Sequence, residues 1–450
     1  MQHRTSRCRC AMWVSIGLAC MGLASIPAIA AAPGLVVVYP SGQYPADVTS
    51  VQQAVINGGT VLLKAVNQSG SPTAFNFGPA AAGSGFVEYQ GDLTLLGETV
   101  RGQMTRIQGG NLPVRGDYPV RLVVRGIHFD GPRGAGVVIG VSTGVEISKC
   151  RFSNVSGFPY FPGAFKGQGI WVNGFPEDTT GQLIIQDNVI ENTVANFGYG
   201  IALFVFGFEA HVARNVIRGA NTAGILVGLN TNKVFIEDND VEPGPGDGDP
   251  NVSIGNGIWV SQPWGGALVI RRNRVRCANP FADGILFFGF AESPIIGLPA
   301  PVDNPIVAWN HITMKNSGYG GISLYGEVNN ASVDSNLVDG DGAYALQVGQ
   351  LYLDDLVDLA RNNTFIGNSI APFRAATADV FLDINSVSTA VVGYNGKVID
   401  LGTGDWVSGY TKMAPSPEIL QQIRNALAAK HKSHLKMIEA ERAARRNSGR

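Results

Sequence analysis

Five side chains of the 450-residue sequence could together move protons and neutralise a negative charge: Lys166, Tyr199, His211, Arg272 and Asp283. Elimination next to a carboxylate needs a base, a proton donor and a cation that neutralises the carboxylate. Lysine, tyrosine, histidine and arginine have the chemistry for these tasks. Asp283 directly precedes a Gly-Ile pair, where an aspartate more often opens a strand from a turn. Proton-transfer chemistry is therefore one predicted function class, with these five residues as its catalytic candidates.

A metal site is suggested by one insertion. The stretch that begins at Glu242 carries two carboxylates, Asp247 and Asp249, among glycines and prolines. Carboxylates two residues apart in a glycine-rich loop can chelate Ca²⁺. A solvated loop without a metal fits the same composition and is the more common outcome. The six histidines show no zinc spacing, and the chain contains no P-loop, dinucleotide-binding fingerprint or Gly-x-Ser-x-Gly motif. Calcium is thus the only cofactor that the sequence suggests.

Aromatic residues cluster in three segments of the chain. The members are Phe158, Tyr160, Phe161 and Phe165, then Phe204, Phe206 and Phe208, then Phe287, Phe288 and Phe290. Sugar rings stack on aromatic faces, so a protein that reads an extended glycan would carry such clusters. Packing of the same residues under their own loops is an equally open alternative.

Two half-repeats recur along the chain and must position all of these side chains. The first is Gly-Ile-x-apolar, and it begins at Gly169, Gly200, Gly224, Gly257, Gly284 and Gly321. The second is apolar-x-apolar-x-x-Asn-x-apolar, with its Asn column at Asn188, Asn215, Asn239, Asn273, Asn310 and Asn336. Cys150 takes the Asn place one unit earlier. Apolar residues two apart predict strands with one buried face, and because no single unit can bury that face alone, the units must stack.

These half-repeats resemble the right-handed parallel β-helix repeat family, with its pectin-lyase-like superfold, over roughly residues 48–400. The resemblance implies an all-β fold, a right-handed parallel β-helix solenoid, with a short N-terminal capping helix at Val48–Ile56. The polygalacturonase-like branch of this family carries paired acids before the Gly-Ile strand and a Gly-His-Gly motif. Only Asp283 matches that pattern here, so two-carboxylate hydrolysis is not supported.

Charge and composition divide the chain into three parts. Residues 1–30 contain three arginines, an apolar run and a small-x-small site at Ala28-Ile29-Ala30, which predict a secretory signal peptide. Residues 31–411, the predicted β-helix domain, carry 21 Lys and Arg against 32 Asp and Glu. Residues 412–450 carry nine against three and are predicted to form a basic helical tail. The acidic body argues against nucleic-acid binding, and the absence of a later apolar span leads us to expect a secreted or periplasmic protein.

Stacking places equivalent positions of successive coils about 4.8 Å apart, so the side chains of one column are expected to contact each other. The Asn amides should bond one another in a ladder, and the tolerance of asparagine for the left-handed conformation suits it to the turn. The column just before it reads Lys149, Asp187, Arg214, Asp238 and Arg272. Its alternating signs predict exposed cross-rung ion pairs. Cys150 and Cys277 fall four rungs apart, too far for a disulfide, so two free thiols are expected.

The outer face of the Gly-Ile strands is the predicted ligand groove. Because alternation turns each Ile inward, the glycines and the residue after each Ile should point outward. The latter residues are Trp171, Ala202, Leu226, Trp259, Leu286 and Ser323. A groove with Trp171 and Trp259 as stacking platforms would place Asn256 and Gln168 near a bound sugar. Shielding of this face by the protein's own loops or its C-terminal helix is an equally open alternative.

Two function classes remain open from the sequence. The first is a carbohydrate-active enzyme that acts on an extracellular polysaccharide, as a lyase or epimerase rather than a two-carboxylate hydrolase. The second is a non-catalytic glycan-binding or adhesin-like envelope protein, which the missing acid pairs and the acidic body favour. In both classes the expected partner is a polysaccharide.

Overall fold

A computed structural model describes residues 34–408, apart from 80–84, 162–163, 174–180, 194–196, 205–206, 208, 229–232, 245–253, 262–266, 292–298, 350–351, 354–355, 371 and 395. The predicted signal peptide (1–30), the predicted basic tail (412–450) and the paired Asp247 and Asp249 lie outside the described residues. The division into these three parts and the calcium site therefore stay predictions.

The described residues form one helix and 43 strands. The first part of the chain contains β1 (Leu35–Val38), α1 (Ala46–Val55), β2 (Gly59–Leu63), β3 (Phe75–Asn76), β4 (Val87–Glu88), β5 (Leu93–Gly97), β6 (Thr99–Val100), β7 (Gln103–Gln108), β8 (Val114–Asp117), β9 (Arg121–Arg125), β10 (Ile127–Asp130), β11 (Ala135–Val141), β12 (Gly144–Ser148), β13 (Arg151–Ser153), β14 (Phe158–Phe161) and β15 (Ala164–Asn173). The middle part contains β16 (Gln182–Gln186), β17 (Val189–Glu191), β18 (Phe197–Phe204), β19 (Glu209–Ala213), β20 (Val216–Arg218), β21 (Ala223–Gly228), β22 (Val234–Glu237), β23 (Asp240–Glu242), β24 (Asn256–Ser261), β25 (Leu268–Arg271), β26 (Arg274–Cys277), β27 (Ile285–Gly289), β28 (Val302–Asp303), β29 (Ile306–Ala308) and β30 (His311–Gly326). The last part contains β31 (Val328–Asn329), β32 (Ser332–Asp334), β33 (Leu337–Val348), β34 (Tyr352–Leu353), β35 (Leu356–Val357), β36 (Ala360–Arg361), β37 (Thr364–Ile366), β38 (Phe373–Ala375), β39 (Val380–Leu382), β40 (Ser386–Val387), β41 (Ala390–Val392), β42 (Val398–Asp400) and β43 (Trp406–Val407).

Through the middle of the chain, each coil contributes one strand to each of three faces, and strands of successive coils pair in parallel; the late coils add a short sheet with the order β28-β31-β36-β40. Face 1 is a 14-stranded sheet with the order β1-β2-β5-β9-β12-β16-β19-β22-β25-β29-β32-β37-β41-β43. Face 2 runs through β7, β10, β13, β17, β20, β23 and β26. Face 3 runs through β8, β11, β15, β18, β21, β24 and β27. Faces 2 and 3 join into one sheet because the long strands β30 and β33 pass through both.

The core lies between the three faces and is capped at the N-terminal end. The inward column on face 1, which includes Ile147, Ile185 and Val212, is fully buried. Helix α1 begins two residues before its predicted start and buries Val51 and Val55 against the first coils. The all-β solenoid and its capping helix are thus confirmed, and stacking is what buries each unit's apolar face.

The Asn column forms the predicted buried ladder. From Asn188 to Asn336, each side-chain Nδ2 donates to Oδ1 of the next asparagine at 2.9 to 3.0 Å, and Asn368 continues the series. Each Nδ2 also donates to a backbone carbonyl of the previous coil, as Asn239 does to Val212. The left-handed backbone, however, belongs to the residue before each asparagine, as at Asp187 with φ 57°. The asparagine amide therefore forms the ladder, and the residue before each asparagine forms the turn.

That preceding column carries the predicted ion pairs, as two separate pairs. Arg214 Nε donates to Asp187 Oδ1 at 2.7 Å, and Arg272 Nε donates to Asp238 Oδ1 at 2.8 Å. The hydrogen bond from Arg214 lowers the pKa of Asp187, and the bond to Asp238 raises the pKa of Arg272. Because these groups are largely solvated, each pair adds little to stability.

Both cysteines of the described chain are buried free thiols, four rungs apart, as expected. Burial raises the pKa of Cys150 to about 12. Cys150 closes the N-terminal end of the ladder: its backbone N–H donates to Asn188 Oδ1, and its Sγ lies 3.7 Å from the Val124 carbonyl oxygen. The thiol thus occupies the place where the other coils hold an amide.

Candidate functional site

The outer side of face 3 carries a continuous column of residues in register. Trp171, Ala202, Leu226, Trp259, Leu286 and Ser323 pair in that order across successive strands. The residues that alternate with them, such as Ile170 and Val172, belong to the main core. Ala202, Leu226, Trp259 and Leu286 belong instead to a second apolar cluster. The column therefore points away from the main core, as predicted.

The protein's own side chains cover most of this column. Trp259 is only 5% exposed, and Ala202, Leu286 and Ser323 are fully buried. The described part of the cover includes Phe288, Phe290 and Tyr325; the Phe288 ring centroid lies 5.1 Å from that of Phe290 and 6.1 Å from that of Tyr325. Shielding is thus what the structure shows from Ala202 to Ser323. Trp171, at the N-terminal end of the column, is only partly buried.

The predicted outward direction of the six glycines is wrong. A Cβ added to Gly169, Gly200, Gly224, Gly257, Gly284 or Gly321 would lie 2.2 to 2.7 Å from a side-chain carbon of a face 2 residue. Those residues are Ile190, Ile217, Val241, Val275, Ile312 and Val338, all in the main core. The glycine and the isoleucine of each pair therefore both face the interior. At the glycine position, faces 2 and 3 approach too closely for a Cβ, so no larger residue fits there.

Lys166 lies in an aromatic environment on β15, the third strand of face 3. Its Nζ lies 5.1 Å from the centroid of the Trp171 ring and 5.4 Å from that of Phe204. Phe158, on the antiparallel hairpin strand β14, lies against Trp171 with ring centroids 6.2 Å apart. Cation–π attraction of a desolvated ammonium is worth up to about 2 kcal/mol. Two of the three predicted aromatic segments thus meet around Lys166.

Along the outer side of face 3, the described residues hold buried polar atoms that have no hydrogen-bond partner. Gln168 is fully buried, and neither its Oε1 nor its Nε2 is bonded. The indole N–H of Trp171 and the Nδ2 of Asn256 are also unbonded, although Asn256 Oδ1 accepts from the Asp283 N–H at 2.8 Å. Each unmade bond costs about 1–3 kcal/mol. Gln168, Tyr199 and Asn256 share one column at the start of the face 3 strands.

Asp283 is buried in a polar network. Its Oδ1 accepts from the Gly320 N–H at 3.1 Å, the Ser323 hydroxyl at 2.5 Å and the Tyr325 hydroxyl at 3.3 Å. The Tyr325 hydroxyl also lies 2.8 Å from Gln347 Oε1. Burial, and then the nearby Asp283, raise the pKa of Tyr325 well above its ordinary value. These contacts fix Asp283 to the next coil, and Tyr325 connects that coil to Gln347 of the coil after it.

The five catalytic candidates are not brought together. Lys166 and Tyr199 lie on adjacent face 3 strands, since Lys166 pairs with Phe197 and Gln168 with Tyr199. Asp283 lies three coils further along, at the start of β27. His211 lies on face 1, with its ring stacked on that of Phe235 at 4.8 Å. Arg272 lies at the corner of faces 1 and 2, in its ion pair with Asp238.

Two acids with raised pKa values were not found by the sequence reasoning. Burial raises the pKa of Asp383 to about 6, and its Oδ2 has no partner although the residue is 2% exposed. Burial likewise raises the pKa of Asp358 to about 6, with the charge of Glu327 adding to the effect. Both occur in late coils where the half-repeats are weak, so no column marked them.

Within the described part of the chain, no group of three or more His, Cys, Asp or Glu side chains is arranged to hold a metal ion. No helix within the described ranges is long and apolar enough to cross a membrane.

Comparison with known proteins gives one family match. Residues 86–241 match the family model described as a right handed beta helix region, whereas no curated protein sequence matches the chain. The Dettilon tailspike protein (gp208) is 15% identical over 83% of this chain and 68% of its own, with a TM-score of 0.40. A mutant of the periplasmic alginate epimerase AlgG is 12% identical over 82% and 83%, with a TM-score of 0.32. A mannuronic acid specific polysaccharide family 6 lyase from human gut microbiota is 12% identical over 91% and 98%, with a TM-score of 0.26. The family match and the parallel pairing of successive coils together make this chain a right-handed parallel β-helix protein.

Proposed function

We propose that this protein is exported and binds an extracellular polysaccharide at the N-terminal part of face 3, around Lys166, Gln168 and Trp171. One observation carries the proposal: the side-chain amide of Gln168 is fully buried without a single hydrogen bond. An amide in that state is costly, and a sugar hydroxyl can both donate to it and accept from it. The neighbouring indole N–H of Trp171 offers a further donor.

The aromatic surroundings support a sugar rather than another polar ligand. Sugar rings present C–H faces that pack on aromatic rings, and Phe158, Trp171 and Phe204 lie within this small region. The Lys166 ammonium beside them would suit a carboxylate-bearing sugar. A polysaccharide that contains uronate residues is therefore the favoured ligand class.

A catalytic version of this function is supported by one further observation. Lys166 and Tyr199 lie on adjacent strands of the same face, so a base and a proton donor could both reach one sugar. Abstraction of the proton next to a uronate carboxylate, followed by elimination or by reprotonation on the other side, would make the protein a lyase or an epimerase. The engaged Asp283 and the distant His211 and Arg272 favour binding without catalysis.

The test is a Gln168→Leu variant of the whole protein. The matched control is Gln182→Leu, at an exposed position of face 1. Removing an unbonded buried amide should leave the midpoint of thermal unfolding unchanged or raise it. Affinity for the best uronate polysaccharide of a glycan array should fall at least severalfold. Gln182→Leu should change neither quantity.

The outcomes separate cleanly. If Gln168→Leu lowers the unfolding midpoint and leaves glycan affinity unchanged, Gln168 is a packing residue and the site is misplaced. If the wild-type protein binds no member of the array, the proposed function fails. Catalysis is scored on the same polysaccharides by the ultraviolet absorbance of unsaturated uronides and by the change in uronate configuration.

A further inference from the structure

Face 2 carries a second constellation of reactive side chains on three successive strands, β7, β10 and β13. His128 and Asp130 point outward from β10, and Ser153 points outward from β13 with Asp130 in register. Ser153 Oγ donates to Asp130 Oδ1 at 3.0 Å and lies 2.8 Å from His128 Nε2. A hydroxyl, an imidazole and a carboxylate thus share one hydrogen-bonded group on the outer surface.

The rest of face 2 is organised differently. Along β20, β23 and β26, outward positions hold cross-strand ion pairs, such as Arg218 with Asp240 at 2.5 Å and Arg276 with Glu242 at 2.9 Å. Such pairs satisfy both partners and leave no group for chemistry. At β10 and β13 the pattern changes to a serine beside a histidine, which stabilises a surface less than an ion-pair network but supplies a nucleophile and a base.

The state of His128 suits it to act as a base. Burial, and then the charges of Arg151 and Arg106, lower its pKa, while Asp130 opposes that shift. The lowered pKa favours the neutral imidazole, and its Nδ1–H tautomer can accept a proton at Nε2. Ser153 is on the outward side of β13 and is 7% exposed.

Two arginines complete the constellation. Arg106 and Arg151 pair with His128 from the strands on either side, and their side chains are 45% and 49% exposed. Arg106 lies 3.6 Å from Asp130, and Arg151 lies 2.7 Å from Glu191. Although both guanidinium groups are paired with carboxylates, they place positive charge on the strands either side of His128, where it would favour a negative oxygen.

We propose that Ser153 and His128 are a nucleophile and general base that hydrolyse carboxylic esters, with Asp130 as a positioning residue. The Ser153 hydroxyl turns its proton from Asp130 to the unprotonated Nε2 of His128, and Ser153 Oγ then bonds to the ester carbonyl carbon while that proton passes to His128 Nε2. The carbon–alkoxy bond then breaks, and the departing alcohol takes that proton. Water attacks the acyl-serine in the same way and releases the carboxylic acid, so that no redox partner is needed. Asp130 holds the Ser153 hydroxyl before the reaction and acts on the proton transfer through its charge beside the imidazole.

The test measures hydrolysis of p-nitrophenyl acetate by the full chain. Ser153→Ala and His128→Gln should each lose at least about 100-fold in the rate above buffer, the scale of losing a positioned base or nucleophile. Ser332→Ala, an exposed serine on face 1, is the matched control and should keep the wild-type rate. A fluorophosphonate probe should label Ser153, as read by peptide mass spectrometry.

Asp130→Asn distinguishes a positioning role from a merely structural one. Removing the carboxylate removes a charge that raises the pKa of His128, so the acid limb of the pH–rate profile should move to lower pH. Wild-type hydrolysis no faster than buffer, or a Ser153→Ala rate equal to wild type, would overturn the proposal. Polysaccharide binding at Gln168 is measured separately, so failure of either idea leaves the other standing.

Discussion

The Asn ladder makes a quantitative prediction at its centre, Asn239. Its Nδ2 donates to the Val212 carbonyl and to Asn273 Oδ1, each at 2.9 Å. Its Oδ1 accepts from the backbone N–H and the Nδ2 of Asn215, also at 2.9 Å. Asn239→Ala deletes all four hydrogen bonds from a residue that is 1% exposed.

The loss of stability depends on which hydrogen bonds each former partner of Asn239 keeps. Asn215 Nδ2 still donates to the Ile185 carbonyl, and Asn273 Oδ1 still accepts from the backbone N–H of residue 239. The Asn215 N–H and the Val212 carbonyl lose the bonds that they made to the amide. At about 1–3 kcal/mol for each buried group left unsatisfied, Asn239→Ala should lower the free energy of unfolding by about 2–6 kcal/mol.

Urea unfolding measures this loss, followed by far-ultraviolet circular dichroism and tryptophan fluorescence together. Two probes are needed because stacked coils can unfold in stages rather than in one step. Asn57→Ala, an exposed asparagine after helix α1, should stay within about 0.5 kcal/mol of wild type. A folded Asn239→Ala protein that loses less than about 1 kcal/mol would refute the claim that the ladder holds the coils together.

Two further predictions concern the end of the ladder and a late coil. Cys150→Asn should extend the ladder by one rung, because its Nδ2 would meet the Val124 carbonyl and Asn188 Oδ1 as in the other coils; a gain of about 1 kcal/mol in urea is expected, and a loss would contradict the geometry. Asp383 has a pKa of about 6 against an ordinary 3.8, so stability is lost as pH rises through this range, by about 3 kcal/mol in full. Asp383→Asn should therefore raise the thermal midpoint at pH 7.5 and change it little at pH 4, and an equal change at both values would show that charge is not the cause.

Much of the fold could be predicted from the sequence because the repeat fixes register by itself. Once the Asn column was placed, the inward Ile147 and Ile185, the ion pair of Asp187 with Arg214, and the four-rung separation of the cysteines all followed. Each of these depends only on which positions stack one coil apart. Stacking in turn depends only on periodicity, which a single sequence displays.

The candidate site was less predictable because it depends on contacts between faces and segments. Strict alternation placed Gly257 outward, but a Cβ at this position would lie 2.2 Å from a Val275 side-chain carbon, so the glycine faces the interior. Alternation correctly placed Trp259 outside the main core, yet could not show that Phe288 and Phe290 belong to the cluster that encloses it. Neither the approach of two faces nor the packing of one loop on another column is encoded in the period.

The coil that contains Cys150 departs from the repeat more than its neighbours do, and both proposed sites involve it. It has a thiol where later coils have an amide, and it inserts the antiparallel strand β14 between its face 2 and face 3 strands. Ser153 lies on its face 2 strand, and Gln168 lies on its face 3 strand. A solenoid is most stable when every coil repeats the same packing. A coil that departs from the repeat in several ways therefore lowers the stability of the fold. Departures of that kind are retained where they serve binding or chemistry, which is why this coil, rather than the coils from β16 to β26 that keep the Asn column, is where function is best sought.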